Sequence, residues 1–284
     1  MSTVLLGALS WVVLAGILAG VVNSTIGFGN LASFLILTGL LGVPALGAHL
    51  ANQVSAPASF ATAAWVSRHS HAATWPMVAA GSAGTLAGGA ALAILPSDWV
   101  GRAAPIGVAA GAVLLVLVPL TRRLRFGWQL PGLTVAGLWG GTVGAGVGSF
   151  VMPCVDGPAA PATRNVVCLP MGLAVAAPLA ALSPDRINWT HVVALASGML
   201  IGGYLGATLL SWLPRKQSTS DRLREAMAVV AVGAFAYLWT DSLGRAGYAL
   251  LVAASAWLLI GLCRHYHRIQ AAPPGRHRAR RVAT

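Results

Sequence analysis

The sequence predicts an all-α integral membrane protein organised as an inverted-topology repeat, with about seven full spans and two short glycine-broken helical hairpins, up to about 11 helical elements. Three observations carry this: long stretches without charge, two short apolar elements entered through glycine, and a segment that recurs in the second half. Hydrophobic residues make up 57% of the chain and charged ones 8%, with a mean hydropathy of +0.76. Soluble domains carry about one quarter charged residues, so a water-soluble fold is excluded. No Asp, Glu, Lys or Arg occurs before Arg68, and residues 126–155, 187–214 and 246–263 are equally free of them.

The first apolar element covers 3–23; it lacks a basic leader and is longer than a signal core, so it is expected to be retained. A short element at 28–42 follows, entered through Gly27 and Gly29. Pro44 separates it from a third element at 45–66. A polar turn around Arg68 leads to elements at 73–95 and 99–121, with Arg122, Arg123 and Arg125 behind them. The second set comprises 130–145, a short element at 146–158 entered through Gly144 and Gly146, 159–182 opening with Pro161, 190–213, and 222–240. A last apolar run occupies 245–263. The corresponding divisions are 1–125 for the first membrane repeat, 126–243 for the second, 244–264 for an additional C-terminal transmembrane helix, and 265–284 for a basic tail.

A net charge of +12 and a pI near 11.4 raise nucleic acid as a partner. The charges lie instead in short loops and the tail, where they act as topology signals. With the tail from Arg264 cytoplasmic, alternating the long helices backwards places 14 of the 18 basic residues inside and 3 outside (Arg102, Arg186, Arg245), with Arg164 set aside as intramembrane. Cytoplasmic loops are enriched in Lys and Arg, which selects this orientation.

Gly20–Gly29 reads GVVNSTIGFG, and 117 residues later Gly137–Gly146 reads GLWGGTVGAG. Gly20, Thr25, Gly27 and Gly29 thereby meet Gly137, Thr142, Gly144 and Gly146. A shift of 113 to 114 pairs Ala51 and Asn52 with Arg164 and Asn165, Trp75 with Trp189, and Gly84 and Gly88 with Gly198 and Gly202. The charge bias runs the helix from Ala45 inward and its counterpart from Ala159 outward, so the repeat is inverted. Inverted repeats with discontinuous helices at matching positions place a transport site near the midplane, where irregular backbone must be buried or line a cavity.

Asn23 with Gly27 and Gly29, then Pro44, Ala48 and Asn52, and in the second half Gly140, Gly141, Gly144, Gly146, Gly148, Pro153, Ala162, Thr163 and Asn165, together resemble the TauE/SafE (sulfite exporter) family over roughly residues 10–240. The resemblance implies a carrier for sulfite, an organosulfonate or a related sulfur or carboxylate anion. Asn30, Ala51 and Arg164 depart from the family pattern.

Candidate substrate-binding residues are Asn23, Gly27, Gly29, Asn52, Gln53, Gly144, Gly146, Arg164 and Asn165, with Asp156 as a coupling candidate. Side-chain amides can replace part of an anion's hydration shell, or simply join helices. Glycines at the element junctions permit positive φ and expose N–H groups at helix starts, which favour anions. Arg164 pairs either with an anion or with Asp156. Gly84, Gly88, Gly198, Gly202 and Gly206, spaced by four, read as packing positions. Cys154, Cys168 and Cys263 read as small hydrophobes, and lone His49 and His191 as structural. The tail, with His265, His267 and His277, reads as a basic lipid-facing segment. No cofactor, metal, enzymatic activity or nucleic-acid partner is expected. Expected partners are a small anionic substrate, membrane lipids and, compatibly, a second copy of the chain. A passive anion channel and an intramembrane enzyme are the alternatives; no clustered His, Cys, Asp or Glu set favours the enzyme.

Overall fold

The computed structural model describes residues 2–25, 27–96, 126–144, 147–155 and 159–212. All of them fall in the unit Met1–Ala231; the unit Val232–Thr284 lies outside them. The elements expected at 99–121, 222–240 and 245–263, the division at 244–264 and the tail at 265–284 therefore lie outside the described residues, as do Gly146 and Asp156.

The helices are α1 (Ser2–Thr25), α2 (Gly29–Leu35), α3 (Ala45–Val66), α4 (Trp75–Ile94), α5 (Gln129–Thr142), α6 (Val147–Val151), α7 (Ala160–Leu182) and α8 (Trp189–Trp212). A π-helical turn, Ile36–Leu40, prolongs α2, and a 3-10 turn, Met152–Cys154, prolongs α6. Local chemistry accounts for the boundaries. Proline stands just before α3 and within the first turn of α4 and of α7, where a missing N–H costs nothing. A glycine of positive φ stands two residues past the end of α1 and of α5, Gly27 at 88° and Gly144 at 73°, ahead of the short helices α2 and α6.

By length and composition α4, α7 and α8 can each cross a membrane. α3 is as long, but His49, Asn52, Gln53 and its serines lower its hydropathy. The surface follows a bilayer's demands. Trp11, Leu14 and Leu18 on α1, Val135 and Leu138 on α5, and Ile201, Leu205 and Leu209 on α8 all point outward. Trp65, Trp75, Trp128 and Trp189 are exposed at helix ends, where interfacial tryptophans sit. The Arg68 guanidinium lies 4.4 Å from the Trp65 ring.

Packing inside this surface is reciprocal. α1 lies along α8 and α4 along α5, while α3 touches α8 and α4 touches α7. The contacts fix directions. Gly16 meets Leu195 and Gly20 meets Met199 and Gly203, so α1 and α8 run parallel; Gly84 meets Thr134 and Gly88 meets Leu138 and Gly141, so α4 and α5 do too. α3 and α7 cross at the centre, Gly172 against Pro57, with Leu50 and Ala51 packed near Val175 and Leu179, and Phe60 near Cys168 and Met171. They therefore run antiparallel.

Four of the expected packing glycines, Gly84, Gly88, Gly198 and Gly202, sit at the two parallel seams, and Gly206 continues the second of them. Without side chains the backbones touch, which is how helices associate where lipid is as apolar as leucine. A Cβ on Gly20 would stand 2.6 Å from the Met199 carbonyl and 2.7 Å from Gly203 N. Gly20→Val is expected to force the seam open, at a cost of about 1–3 kcal/mol. Thermal unfolding in detergent reads this as a midpoint lowered by about 2–4 °C per kcal/mol. Gly47→Ala is the control, its Cβ meeting only Val43 at 3.7 Å.

Candidate functional site

The two helix breaks meet. A Cβ on Gly148, at the start of α6, would lie 2.6 Å from the Gly27 Cα and 3.4 Å from the Arg164 side chain; one on Gly144 would lie 2.8 Å from the Gln53 amide. Each break closes in the same way: Gly27 N–H donates to Val22 O at 3.0 Å and Gly144 N–H to Trp139 O at 3.3 Å, both reaching back five residues. A glycine in the left-handed region permits that closure without a Cβ penalty.

Ending a helix inside an apolar region strands its last carbonyls, which carry the negative end of the helix dipole. Donors from the opposite half of the chain reach them. On α3, Gln53 Nε2 donates to Gly140 O at 2.7 Å and to Gly141 O at 3.3 Å, and His49 Nε2 lies 3.2 Å from Thr142 O. On α7, the Arg164 guanidinium donates to Thr25 O at 3.1 Å and to Ser24 O, and Asn165 Nδ2 donates to Ser24 O at 3.3 Å. Arg164 also donates to Asn165 Oδ1 at 2.8 Å, so the two side chains act as one unit. Arg164 is 1% exposed, and a planar fork suits two carbonyls and an amide better than an ammonium would.

The first half adds a network of neutral groups. Asn23 Nδ2 donates to Asn30 Oδ1 at 2.9 Å, and its Oδ1 accepts from Gly29 N–H at 2.6 Å, capping α2. Ser33 Oγ donates to Asn52 Oδ1 at 2.6 Å, while Asn52 Nδ2 donates to Asn30 O at 3.1 Å. Asn30 Nδ2 then crosses to the other half and donates to Gly144 O at 3.1 Å. Asn23, Asn30, Ser33, Asn52, Gln53 and Asn165 are all buried.

Asn23, Gly27, Gly29, Asn52, Gln53, Gly144, Arg164 and Asn165, far apart in sequence, thus gather around the two breaks. Gly146 and Asp156 lie outside the described residues. Sequence reasoning did not select Asn30 or Ser33 as binding residues, and it marked Gly148 only as a glycine of the second break. Asn30 had a signal, being a polar residue at the entrance of an apolar element one position past the repeated glycines. Cys154 and Cys168 are free and buried in the apolar packing.

The model of the family described as Sulfite exporter TauE/SafE matches residues 12–238. No curated protein and no solved structure gives a significant match.

Proposed function

Because the chain belongs to the Sulfite exporter TauE/SafE family, membrane transporters of sulfur anions, we propose that it is a secondary carrier moving sulfite, an organosulfonate or a related sulfur or carboxylate anion through the junction of its two helix breaks. The carrying observation is that the amide and guanidinium donors of Asn30, Gln53, Arg164 and Asn165 serve carbonyl or amide oxygens, most of them belonging to the other break. An oxyanion between the breaks can accept the same N–H groups, exchanging one acceptor for another rather than desolvating bare donors, and charge-assisted bonds from Arg164 strengthen in that exchange.

Reciprocal packing supports an inverted repeat. Antiparallel α3 and α7 sit at its centre, and α1 and α5 lie along α8 and α4, each a helix of the opposite half. Such a pair can rock about a fixed central site, exposing it alternately to either face. The charge division supports a multi-pass location in the plasma membrane with the C-terminus cytoplasmic. A homodimer, bound lipid and a non-enzymatic role complete the reading.

Purified protein in proteoliposomes tests it: uptake of sulfite, methanesulfonate or a short carboxylate should saturate and should run uphill against an imposed exchange gradient. Flux that rises linearly with concentration and never concentrates the anion would make the protein a channel. Within the same assay, replacing Asn52 and Asn165 together with leucine is expected to reduce flux about a hundredfold or more, the equivalent of about 3 kcal/mol. A folded double variant with wild-type flux removes both amides from the site.

A further inference from the structure

The two halves close their partner's broken helix with different charges. Thr25 and Thr142 occupy matching positions, each the last residue of a broken helix. The Thr25 carbonyl receives Arg164, a permanent cation; the Thr142 carbonyl receives His49. A carbonyl only accepts, so His49 Nε2 must carry its hydrogen, and the Nδ1 lone pair is where a second proton binds. Once protonated, His49 would place a cation at the C-terminus of α5 as Arg164 does at that of α1, where the helix dipole favours it. His49 is 5% exposed and stands one turn before Asn52 and Gln53. Among the described residues, the elements around α3 offer few competing groups. α1, α2 and α5 have no ionisable side chain, α7 has Arg164 and Cys168, and α8 has His191 and Tyr204.

We propose that His49 is the proton site of the carrier, binding one proton as the anion binds and releasing it with the anion on the other side. This rests on the carrier reading above. Nδ1 takes the proton from water on one face, the imidazolium keeps its Nε2–H on Thr142, and the same proton returns to water on the opposite face. This goes beyond a structural role for His49, and a charged anion crosses with its charge balanced.

The test uses the full chain in voltage-clamped proteoliposomes with radiolabelled methanesulfonate, which stays ionised throughout, and radiolabelled sulfite. Wild-type protein should exchange label at equal pH. Under an inward gradient of about one pH unit it should accumulate anion up to about tenfold above the His49→Arg variant, which shares the substrate's own acid–base chemistry. His49→Arg, with a fixed charge, and His49→Gln, whose amide can still reach Thr142, should exchange label yet gain no accumulation from the pH gradient. Accumulation like the wild type's in either variant overturns the proposal. So does joint loss of exchange and accumulation at an unchanged unfolding temperature, which would make His49 part of the anion site. A lumenal pH dye gives a reading independent of variants: methanesulfonate entry should acidify the lumen of wild-type vesicles, and entry without acidification overturns the proposal. A wild-type protein that exchanges neither anion sinks the carrier reading itself and this proposal with it.

Discussion

Arg164→Ala is expected to lower anion flux by about a hundredfold or more and to destabilise the fold. The guanidinium is buried and donates to the Ser24 and Thr25 carbonyls and to Asn165 Oδ1. Truncation leaves the Thr25 carbonyl and Asn165 Oδ1 without the Arg164 donor and the Ser24 carbonyl with Asn165 alone, at about 1–3 kcal/mol for each buried acceptor left unpaired. It also withdraws the positive charge facing the end of α1. Arg164→Lys separates geometry from charge: an ammonium retains the charge but cannot span both carbonyls and the amide. The lysine variant should therefore keep more stability than the alanine variant while still losing much of the flux. Thermal unfolding beside proteoliposome flux measures both. An alanine variant with wild-type values in both assays would remove Arg164 from the site and from the fold's support.

Gly148→Ala should have a comparable effect for a steric reason. Its Cβ would stand 2.6 Å from the Gly27 Cα, backbone against backbone, so neither neighbour can swing away. The two breaks must separate, and with them the cross-half bond from Asn30 to Gly144 and the donors grouped around it. Gly144→Ala is the milder comparison. There the added Cβ meets the Gln53 side chain at 2.8 Å, which can move, and the main cost is a left-handed conformation worth about 1–2 kcal/mol. Flux should fall furthest in Gly148→Ala, less in Gly144→Ala, and not at all in Gly47→Ala. Equal flux in all three would show that contact between the breaks is irrelevant to transport.

Much of the described architecture was legible because membrane helices are written in continuous apolar runs and stopped by glycine, proline and charge. The element expected at 45–66 coincides with α3 and that at 159–182 with α7 within a residue, while α2 with its wider π turn fills 29–40 of the short element expected at 28–42, and α6 with its 3-10 turn fills 147–154 of the one expected at 146–158. Recurring sequence between the two halves drew attention to Asn52 and Asn165, which both lie beside the helix breaks. Bonding partners were not legible. Gln53 reaches across 87 residues to Gly140, and Asn30 across 114 to Gly144. Such choices depend on how whole helices cross, which local composition does not encode. For the same reason the carbonyls of Ser24 and Thr25, which Arg164 reaches across 140 and 139 residues, were not legible in the sequence.

The parallel seam between α1 and α8 has a consequence for biogenesis. The glycine face of α1 finds its partner some 180 residues later in the sequence, which at about 5–20 residues per second leaves α1 in the bilayer for roughly ten to forty seconds before α8 is made. For most of that interval, until α7 is made, the stranded carbonyls of Ser24 and Thr25 lack Arg164 and Asn165. α1 must therefore be sheltered by the insertion machinery or wait shallow at the interface, and the chain interlocks only once its second half has entered the membrane.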